Sequence, residues 1–404
     1  MTMRAWRAAS VALLVGLALV VPAFPGASSG LGYRPTVAVE SVGPGTLLMR
    51  IHQAGRGGPI KALVLKVNLT DPAVRAGLLY PGIVAGVRTL SAMAGAAGAF
   101  AAVNGDYFNI GETGAPVGPM VSGGRLIKAP QPGRALAAGV GEDGVGRIST
   151  VALRGVVDLP SVRAPLADLN DANPGYPPMV APNGIALFTP AWGSAARSGA
   201  VRGLRSVAEV LVHGGRVAHI SARAGDGPIR SGGYVLLGAG SGGRMLARLR
   251  IGHAVSISYG QRTAAPVPFR FAVGGKYRLL RAGAVQSGLP VAPGAERTAV
   301  GFSDGGRTMW LVATASREAG VPGLDLPELA AFARGLGVRD AVNLDDGGST
   351  TIVVRQRGHT GLTLLNRPAD HRQRRVANGV GLFATIRDGP KPSAARAARG
   401  AGYP

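Results

Sequence analysis

Residues 60–69, IKALVLKVNL, carry the clearest β-strand pattern in the sequence. Apolar side chains alternate along this segment, and β-branched residues are enriched, as in a buried strand. The two faces carry Leu63, Leu65 and Val67 on one side and Ala62, Val64 and Lys66 on the other. Residues 47–52 form a second such run, so the two segments predict a sheet near the start of the globular part.

Short apolar runs separated by Gly, Pro and Asn turns predict further strands along the chain. They cover residues 100–103, 209–212, 216–220, 234–237, 254–259, 299–302, 308–313, 340–344, 351–355 and 380–386. The pairs within 209–220 and 299–313 are spaced as hairpins. Residues 160–182 contain six prolines and predict an irregular surface loop.

Three segments predict helices. Residues 89–99 are rich in alanine and start at Thr89, a residue type that caps helix N-termini. Residues 326–336 have a proline in the first turn, at position 327, and Gly337 just past the end. Residues 243–249 predict a shorter third helix.

The fold class expected from these elements is α+β. We expect a mixed, mainly antiparallel sheet with a few covering helices. Residues 31–387 would form one domain, with a β-rich excursion at 150–260 in its middle. Residues 388–404 consist mainly of Pro, Gly, Ala and Arg and predict a disordered tail.

The first 30 residues have the pattern of an export signal. Arg4 and Arg7 precede an apolar run at 11–21, and small residues follow at 22–29. The apolar run is too short to span a membrane comfortably. We therefore expect a secreted or cell-surface protein whose leader is either cleaved or kept as an anchor, with membrane contact only through this leader.

The sequence of 404 residues is strongly basic, with 44 Lys and Arg against 21 Asp and Glu and a net charge of +23. The arginines are scattered and have few aromatic neighbours, which argues against nucleic acid as a partner. Two interpretations stay open: a solvated surface that reflects a general Ala/Gly/Arg bias, and attraction to a polyanion such as a phosphate-bearing wall polymer. The lack of cysteine excludes disulfides, thiolate metal ligands and a cysteine nucleophile.

Two turns after short apolar strands carry most of the candidate chemistry. Residues 104–109, NGDYFN, place Asn104 and Asp106 at a strand end, where polar groups commonly form sites. Residues 344–351, LDDGGSTT, combine adjacent carboxylates, two glycines and three hydroxyls, a set that can hold anionic oxygens. Asn-Gly and Asp-Gly are also ordinary turn dipeptides. Three of only 21 acids fall in these two turns, which favours a functional interpretation.

Two basic segments add candidate anion ligands. Arg297 directly precedes a predicted strand, and a guanidinium can bind phosphate through two parallel hydrogen bonds. Residues 366–379, NRPADHRQRRVANG, are polar and basic before the closing strand. This segment either contributes to the site or forms a solvated loop.

Five of these motifs occur in one order along the chain. They are NGDYF at 104–108, RTAVG at 297–301, NLDDGGSTT at 343–351, NRP at 366–368 and RVAN at 375–378. This set resembles the phosphodiester glycosidase family, which includes the enzyme that uncovers mannose 6-phosphate by removing N-acetylglucosamine from a phosphodiester. Bacterial members are often described as exopolysaccharide biosynthesis proteins. The resemblance spans roughly residues 60–387.

The resemblance implies that a set of polar residues lines the site: Asn104, Asp106, Arg297, Asp345, Gly347, Gly348, Ser349, Thr350, Asn366, Arg375 and Asn378. Two positions depart from the family pattern. The family more often has glycine where this chain has Asp346, so Asp346 adds a charge among the substrate-binding candidates. Position 106 is also often glycine in relatives.

The expected reaction is hydrolysis of a sugar 1-phosphodiester bond in a surface or extracellular glycopolymer. Arg297, Arg375 and the amides of residues 347–350 would stabilise the departing phosphate. Asp345, with Asp106 second, would align water at the anomeric carbon. Asn104 and Asn366 would hold sugar hydroxyls.

The main alternative is a non-catalytic protein that binds anionic cell-wall polysaccharide in the same cleft. The expected hydrolysis requires no cofactor, although Asp106, Asp345 and Asp346 are hard oxygen ligands that suit Ca²⁺ or Mg²⁺. Both functional hypotheses depend on one spatial condition. Two turns that are more than two hundred residues apart in the sequence must meet in one pocket.

Overall fold

The computed structural model of the protein describes residues 36–173, 182–315, 321–356, 358–368 and 370–385. The predicted leader at 1–30 and the predicted tail at 388–404 lie outside these residues. Among the described residues, none of the helices has the length and apolar character that a membrane crossing requires.

The described part of the chain is mainly β, with three short α-helices. The first strands are β1 (Thr36–Gly43), β2 (Thr46–Gly55), β3 (Gly58–Asn68), β4 (Val74–Leu79), β5 (Arg88–Thr89), β6 (Ala101–Asn104), β7 (Met120–Ser122), β8 (Arg125–Lys128), β9 (Leu136–Gly141), β10 (Gly146–Leu159), β11 (Val162–Pro165), β12 (Asp168–Leu169) and β13 (Ile185–Phe188). They are followed by β14 (Ala208–His213), β15 (Arg216–Ser221), β16 (Gly233–Gly238), β17 (Ser256–Thr263), β18 (Phe269–Gly274), β19 (Arg278–Arg281), β20 (Ala284–Val285), β21 (Thr298–Ser303), β22 (Thr308–Thr314), β23 (Asp340–Asn343), β24 (Ile352–Val354), β25 (Thr363–Leu364), β26 (Arg375–Val376) and β27 (Gly379–Ala384). The helices are α1 (Leu90–Ala96), α2 (Gly240–Ala247) and α3 (Leu326–Gly335).

The largest sheet has eight strands and joins the two ends of the domain, in the order β1-β2-β3-β22-β21-β23-β19-β20. Leu65 of β3 lies opposite Leu48 of β2 and Leu311 of β22. The strand predicted most clearly from the sequence is therefore paired on both sides. Val64 and Leu65 point to opposite faces and are both fully buried, so both faces of this sheet are covered.

The large sheet is part of a stack of four layers, which are α3, the large sheet, a second sheet and α1. Helix α3 covers one face of the large sheet, where Phe332 belongs to the same apolar cluster as Val64. The other face packs against a second sheet of order β25-β24-β6-β27-β4, with Leu65 and Val103 in one cluster. Helix α1 covers the outer face of the second sheet, next to Ala102.

The middle of the chain forms two more sheets, as the predicted β-rich excursion requires. One has the order β11-β10-β9-β18-β7-β8, with β17 also paired to β10, and the other has the order β12-β13-β16-β14-β15. The predicted hairpin at 209–220 is present as β14 and β15. This part of the structure extends from β7 to β18 and is therefore wider than predicted.

The prediction of an irregular loop at 160–182 is wrong at its start, because β11 and β12 lie there. Pro165 ends β11, which is an edge strand paired only to β10 in the described sheet. A proline is tolerated there because an edge strand does not need every N–H for pairing. Residues 174–181 of the predicted loop lie outside the described residues.

All three predicted helices are present, and their bounds differ from the prediction at one or both ends. Helix α1 starts at its predicted cap, Thr89, whose side chain accepts a hydrogen bond from the N–H of Ala92, but it ends three residues early. Helix α2 starts three residues before its predicted position. Its first residues are Gly and Ser, which have low helix propensity, so the sequence did not indicate a helix there. Helix α3 has a capping box between Asp325 and Glu328, and Gly337 follows its end with a φ of +90°.

Candidate active site

The two motif turns are in direct contact, at neighbouring strand ends of the two packed sheets. Strand β6 ends at Asn104, and β23 ends at Asn343. The N–H of Asp345 donates to the carbonyl of Gly105 at 2.8 Å, and the Asn104 amide donates to the carbonyl of Asp345 at 2.8 Å. The two turns therefore meet, and that they share one pocket stays a prediction.

The closing segment before β27 joins the same place through Asn378. Its Oδ1 accepts from the N–H of Asp106 at 2.8 Å, and its carbonyl accepts from the N–H of Gly105 at 3.0 Å. A Cβ at position 105 would collide with the Asn378 side chain. Glycine is required at 105 by this close approach, which a hairpin turn alone would not demand.

Asp345 is buried, with 6% of its surface exposed. Its Oδ1 accepts from the N–H of Asp346 at 3.0 Å, and its Oδ2 has no hydrogen bond from the described residues. Burial is the main cause that raises the pKa of Asp345 to about 7. The Ser349 hydroxyl opposes this rise, and the charges of Asp346 and Asp106 add to it.

Asp106 is a second buried carboxyl beside the first. Its Oδ2 accepts from the N–H of Gly118 at 2.5 Å. Burial raises the pKa of Asp106 to about 6, while the Gly118 hydrogen bond and the charge of Lys128 lower it. Two neighbouring acids thus titrate close to neutral pH, which is the range that proton-transfer catalysis uses.

Asp346 has its own cation. Arg297 forms an ion pair with its Oδ2 and donates from Nε to the carbonyl of Leu324 at 2.8 Å. The Tyr107 hydroxyl also donates to Asp346 Oδ2 at 2.8 Å, and it accepts from the Asn343 amide at 2.8 Å. Burial and the Asp346 charge raise the pKa of Tyr107, so the phenol stays protonated. The extra acid of this chain is therefore held in a closed network.

The glycine turn after Asp346 does not form the open array of amides that the sequence suggested. The N–H of Gly347 donates to the carbonyl of Glu296 at 2.9 Å, and the N–H groups of Ser349 and Thr350 donate within the turn. These three N–H groups donate to carbonyls of the turn and of the neighbouring loop, because the turn closes as a single 3₁₀ turn. Three of the four amides at 347–350 therefore donate within the protein, and the expectation that this turn binds phosphate stays a prediction.

The basic residue at this turn is Arg374, which the sequence analysis did not single out. Its Nη1 lies 3.4 Å from the Ser349 hydroxyl, and its Nε donates to Asp370 at 2.8 Å. Its Nη2 approaches so closely that a Cβ on Gly348 would collide with it. Arg375, the predicted residue, is exposed on β26, which pairs with β5. Successive side chains in an extended segment point to opposite sides, so one register step separates the two arginines.

The asparagines predicted to hold sugar hydroxyls are bonded to protein atoms. Asn104 Oδ1 accepts from the Thr298 hydroxyl at 2.7 Å and from the N–H of Thr351 at 3.0 Å. Asn366 accepts from the N–H of Ile352 at 3.0 Å and donates to the carbonyl of Thr350 at 2.8 Å. Both side chains brace the backbone on which the acids sit.

A cavity of about 280 Å³ opens beside Tyr107. Its lining includes Phe108, Ile110, Val117, Arg134 and Lys276. Sequence reasoning missed both cations. Lys276 is one of only five lysines in the sequence and follows a strand that ends in Gly-Gly, so its scarcity and position were usable signals. Arg134 is one of many arginines in the sequence and lies in a loop, so no sequence signal singled it out.

The predicted metal ligands do not form a metal site in this structure. Within the described ranges, no group of three or more His, Cys, Asp or Glu side chains is arranged to hold a metal ion. Asp346 is paired with Arg297, and Asp106 accepts from the N–H of Gly118, so these two carboxyls already have protein partners.

The protein is a mainly β protein in which two sheets pack face to face and a further β region is inserted in the middle of the chain. A pair of buried acids, Asp345 and Asp106, lies where the two packed sheets meet. The sequence model of the family described as phosphodiester glycosidase matches residues 206–383. The resemblance inferred from the motifs is therefore confirmed over that part of the chain. The motif at 104–108 lies outside the matched residues, and the fold brings it into contact with the motif at 343–351.

Several solved structures are similar to this chain. A hypothetical protein from Synechocystis has 23% sequence identity and a TM-score of 0.67, over 88% of this chain and 69% of that one. A protein from Burkholderia pseudomallei K96243 that is named as exported has 19% identity and a TM-score of 0.70, over 89% of this chain and 99% of that one. The zebrafish N-acetylglucosamine-1-phosphodiester alpha-N-acetylglucosaminidase catalytic domain has 16% identity and a TM-score of 0.45, over 89% and 86%. No curated protein matches the chain.

Proposed function

We propose that this protein hydrolyses the bond between the anomeric carbon of a sugar and a phosphodiester. Water supplies the oxygen, the C1–O bond breaks, and the products are a free sugar and a phosphomonoester. The observation that carries the proposal is Asp345, a buried carboxyl with a pKa of about 7 whose charge acts on Tyr107, a residue that lines a cavity together with Arg134 and Lys276. The family match over residues 206–383 supports the same reaction class.

Asp345 acts as the general base in this proposal. Its Oδ2 has no hydrogen bond from the described residues and can accept one from the attacking water. As the water oxygen bonds to C1, the water proton moves to Asp345, and a pKa near the working pH suits this transfer. The departing phosphate is a weakly basic anion and needs little protonation.

Asp106 acts beside Asp345 as a carboxylate. A glycosyl centre that loses its leaving group develops positive charge, and a nearby carboxylate stabilises it. The Gly118 hydrogen bond and the Lys128 charge both favour the ionised form of Asp106. With pKa values of about 6 and about 7, the two acids hold one proton between them near pH 6.5.

The network around Asp346 positions the catalytic turn. Arg297 and Tyr107 hold the Asp346 side chain from two sides, which fixes the backbone that carries Asp345. Asn104 and Asn366 brace the same turn through hydrogen bonds to its backbone, and Asn378 braces the Asp106 turn. We assign these residues to positioning, because they hold the backbone that carries the two acids.

The protein would act outside the cell on an anionic glycopolymer. The export pattern at residues 1–30 supports this, as does a structural relative that is named as exported. The net charge of +23 would draw the protein toward a polyanionic substrate. The proposed reaction needs water alone as co-reactant and no organic cofactor.

The test uses purified protein and a panel of sugar 1-phosphodiesters, with release of free sugar and phosphomonoester measured together. Wild type turns over at least one of them, and Asp345→Asn lowers kcat by about 10²–10⁴-fold. Asp143→Asn is the matched control, because Asp143 is a surface acid paired to Arg147 and should leave kcat unchanged.

Two outcomes would overturn the proposal. Full activity in Asp345→Asn removes the base from the mechanism. Binding of the polymer by wild type without release of product from any phosphodiester favours the non-catalytic binding protein instead.

A further inference from the structure

The groups expected to bind the phosphate of the substrate are largely engaged elsewhere. Arg297 is paired with Asp346 and bonded to the carbonyl of Leu324. The N–H groups of Gly347, Ser349 and Thr350 donate to backbone carbonyls. The expected Arg375 is exposed on β26, and Arg374, which lies at the glycine turn instead, is paired with Asp370. A phosphodiester bound next to Asp345 therefore needs another source of positive charge.

Lys276 supplies such a charge. Its Nζ lies 5.1 Å from the ring centroid of Tyr107 and 5.1 Å from that of Tyr277. A cation over two aromatic faces is attracted to both and loses little freedom when it binds an anion. Lys276 lines the cavity and forms no salt bridge with any carboxylate of the described residues.

Arg134 is the second cation of this cavity and also has no salt bridge within the described ranges. Its charge acts on Asp106, so the guanidinium lies close to the acid pair. Its backbone is held by the N–H donation to the carbonyl of Gln131 at 2.9 Å. Two cations that line one cavity and form no salt bridge within the described residues favour a bound anion.

The other wall of the same cavity is apolar. Phe108 and Ile110 line it together with Val117. Ile110 is unusual, since 62% of its surface is exposed while few large apolar side chains of the described residues are. Apolar surface next to an anion site fits a ligand whose charged group is attached to a carbon chain.

We propose that this cavity is the subsite for the phosphate and for the alcohol esterified to it, with Lys276 and Arg134 on the phosphate and Phe108 and Ile110 on an apolar alcohol. This assignment rests on the proposed function. It names the substrate class as a glycosyl phosphodiester whose second alcohol begins with an alkyl or lipid-like chain. In the reaction, the two cations would hold the negative charge of the departing phosphomonoester.

The first experiment measures binding of the product half alone, using calorimetry on the full chain with inorganic phosphate, methyl phosphate and octyl phosphate. Octyl phosphate should bind at least about fivefold tighter than methyl phosphate, because added CH₂ groups leave water. Lys276→Met should weaken both alkyl phosphates by about 10–100-fold through loss of a charge-assisted hydrogen bond. Ile110→Ser should bring the octyl-to-methyl ratio close to 1 and leave inorganic phosphate unchanged.

The chain offers a matched control for each variant. Lys66 also lies over an aromatic ring, at 5.0 Å from the Trp310 centroid, and Lys66→Met should bind all three phosphates as wild type does. Ile251 is 64% exposed and lies outside the cavity lining, so Ile251→Ser should keep the octyl preference. Equal effects of Lys276→Met and Lys66→Met would overturn the phosphate assignment. An unchanged octyl preference in Ile110→Ser would overturn the apolar one.

A second experiment separates this inference from the proposed function. It compares kcat/KM for methyl and octyl phosphodiesters of one hexose. Lys276-dependent binding of alkyl phosphates without turnover supports the subsite and contradicts the glycosidase. Turnover that does not depend on Lys276 supports the glycosidase and contradicts the subsite. Turnover that falls in Lys276→Met and prefers the octyl ester supports both.

Discussion

Two clusters of buried acids lie in this molecule, and they differ in what surrounds them. The first is Asp345 with Asp106, at the meeting point of the two sheets. The second consists of Lys128, Asp168 and Asp171, in the inserted β region, where Lys128 Nζ donates to Asp171 at 2.5 Å and both side chains are fully buried. Burial raises the pKa of the acids in both clusters.

The comparison shows that a raised pKa does not by itself mark a catalytic acid. In the second cluster, Lys128 forms a direct ion pair with Asp171, and its charge also acts on Asp168 and on Asp106 of the first cluster. In the first cluster, Asp345 forms no ion pair with a cation of the described residues. The side chain of the next residue, Asp346, is 25% exposed and accepts a hydrogen bond from Tyr107, which lines a cavity. Among the described residues, the lack of a direct counter-charge and the nearness of Tyr107, which lines a cavity, distinguish Asp345 from the structural acid Asp171.

The largest effect on stability should come from breaking the second cluster. Lys128→Met leaves Asp171 and Asp168 buried without their cation, so the free energy of unfolding should fall by about 3–5 kcal/mol at neutral pH. Urea denaturation followed by circular dichroism measures this. The loss should shrink as the pH is lowered, because the two acids then take up protons.

The exposed pair Arg50–Glu40 provides the contrast for that measurement. Arg50→Met should cost less than about 1 kcal/mol, since exposed ion pairs contribute little. If Lys128→Met costs no more than Arg50→Met, the ion pair of Lys128 with Asp171 does not stabilise the second cluster.

The first cluster should control the pH dependence of the reaction. A general base must be ionised, and the pKa of Asp345 is about 7, so kcat/KM should rise about tenfold per pH unit between pH 6 and pH 7 and level off above pH 7. Below pH 6 the rise should be steeper, because Asp106 must then also lose a proton to act as a carboxylate. Initial rates on a sugar 1-phosphodiester between pH 5 and 9 provide the profile. Asp143→Asn should leave the profile in place, and a rate that falls as pH rises would instead make Asp345 a general acid.

The same substitution should have opposite effects on stability in the two clusters. The pKa of Asp345 is about 7 in the folded state and 3.8 for the same side chain exposed to water, so ionisation costs stability progressively between about pH 4 and pH 7. Asp345→Asn removes that cost and should raise the free energy of unfolding by about 1–3 kcal/mol at pH 8, with little effect at pH 4. Asp171→Asn leaves Lys128 without its carboxylate and should lower stability.

Thermal denaturation of both variants at pH 4 and pH 8 provides the comparison. Destabilisation by Asp345→Asn at pH 8 would mean that its carboxylate is stabilised by contacts stronger than the hydrogen bond from Asp346. In that case the distinction between the two clusters would not hold.

Most elements of the fold could be predicted because their signals are local. The alternation at 60–69 marks β3, and Thr89 and Gly337 mark helix ends through contacts within a few residues. The start of the 160–182 loop was predicted wrongly because Pro165 lies at an edge strand, and edge position is a property of the sheet.

The sequence alone determined which turns carry the acids, since scarce carboxylates, glycine and strand ends coincide at 104–106 and 343–348. Only the tertiary structure decided which cations face them. Arg297 pairs with Asp346, Arg374 rather than Arg375 approaches the glycine turn, and Lys276 lies in the cavity. The physical reason is that charge pairing and side-chain direction depend on strands brought together from distant parts of the chain, and one register step reverses the face of a side chain.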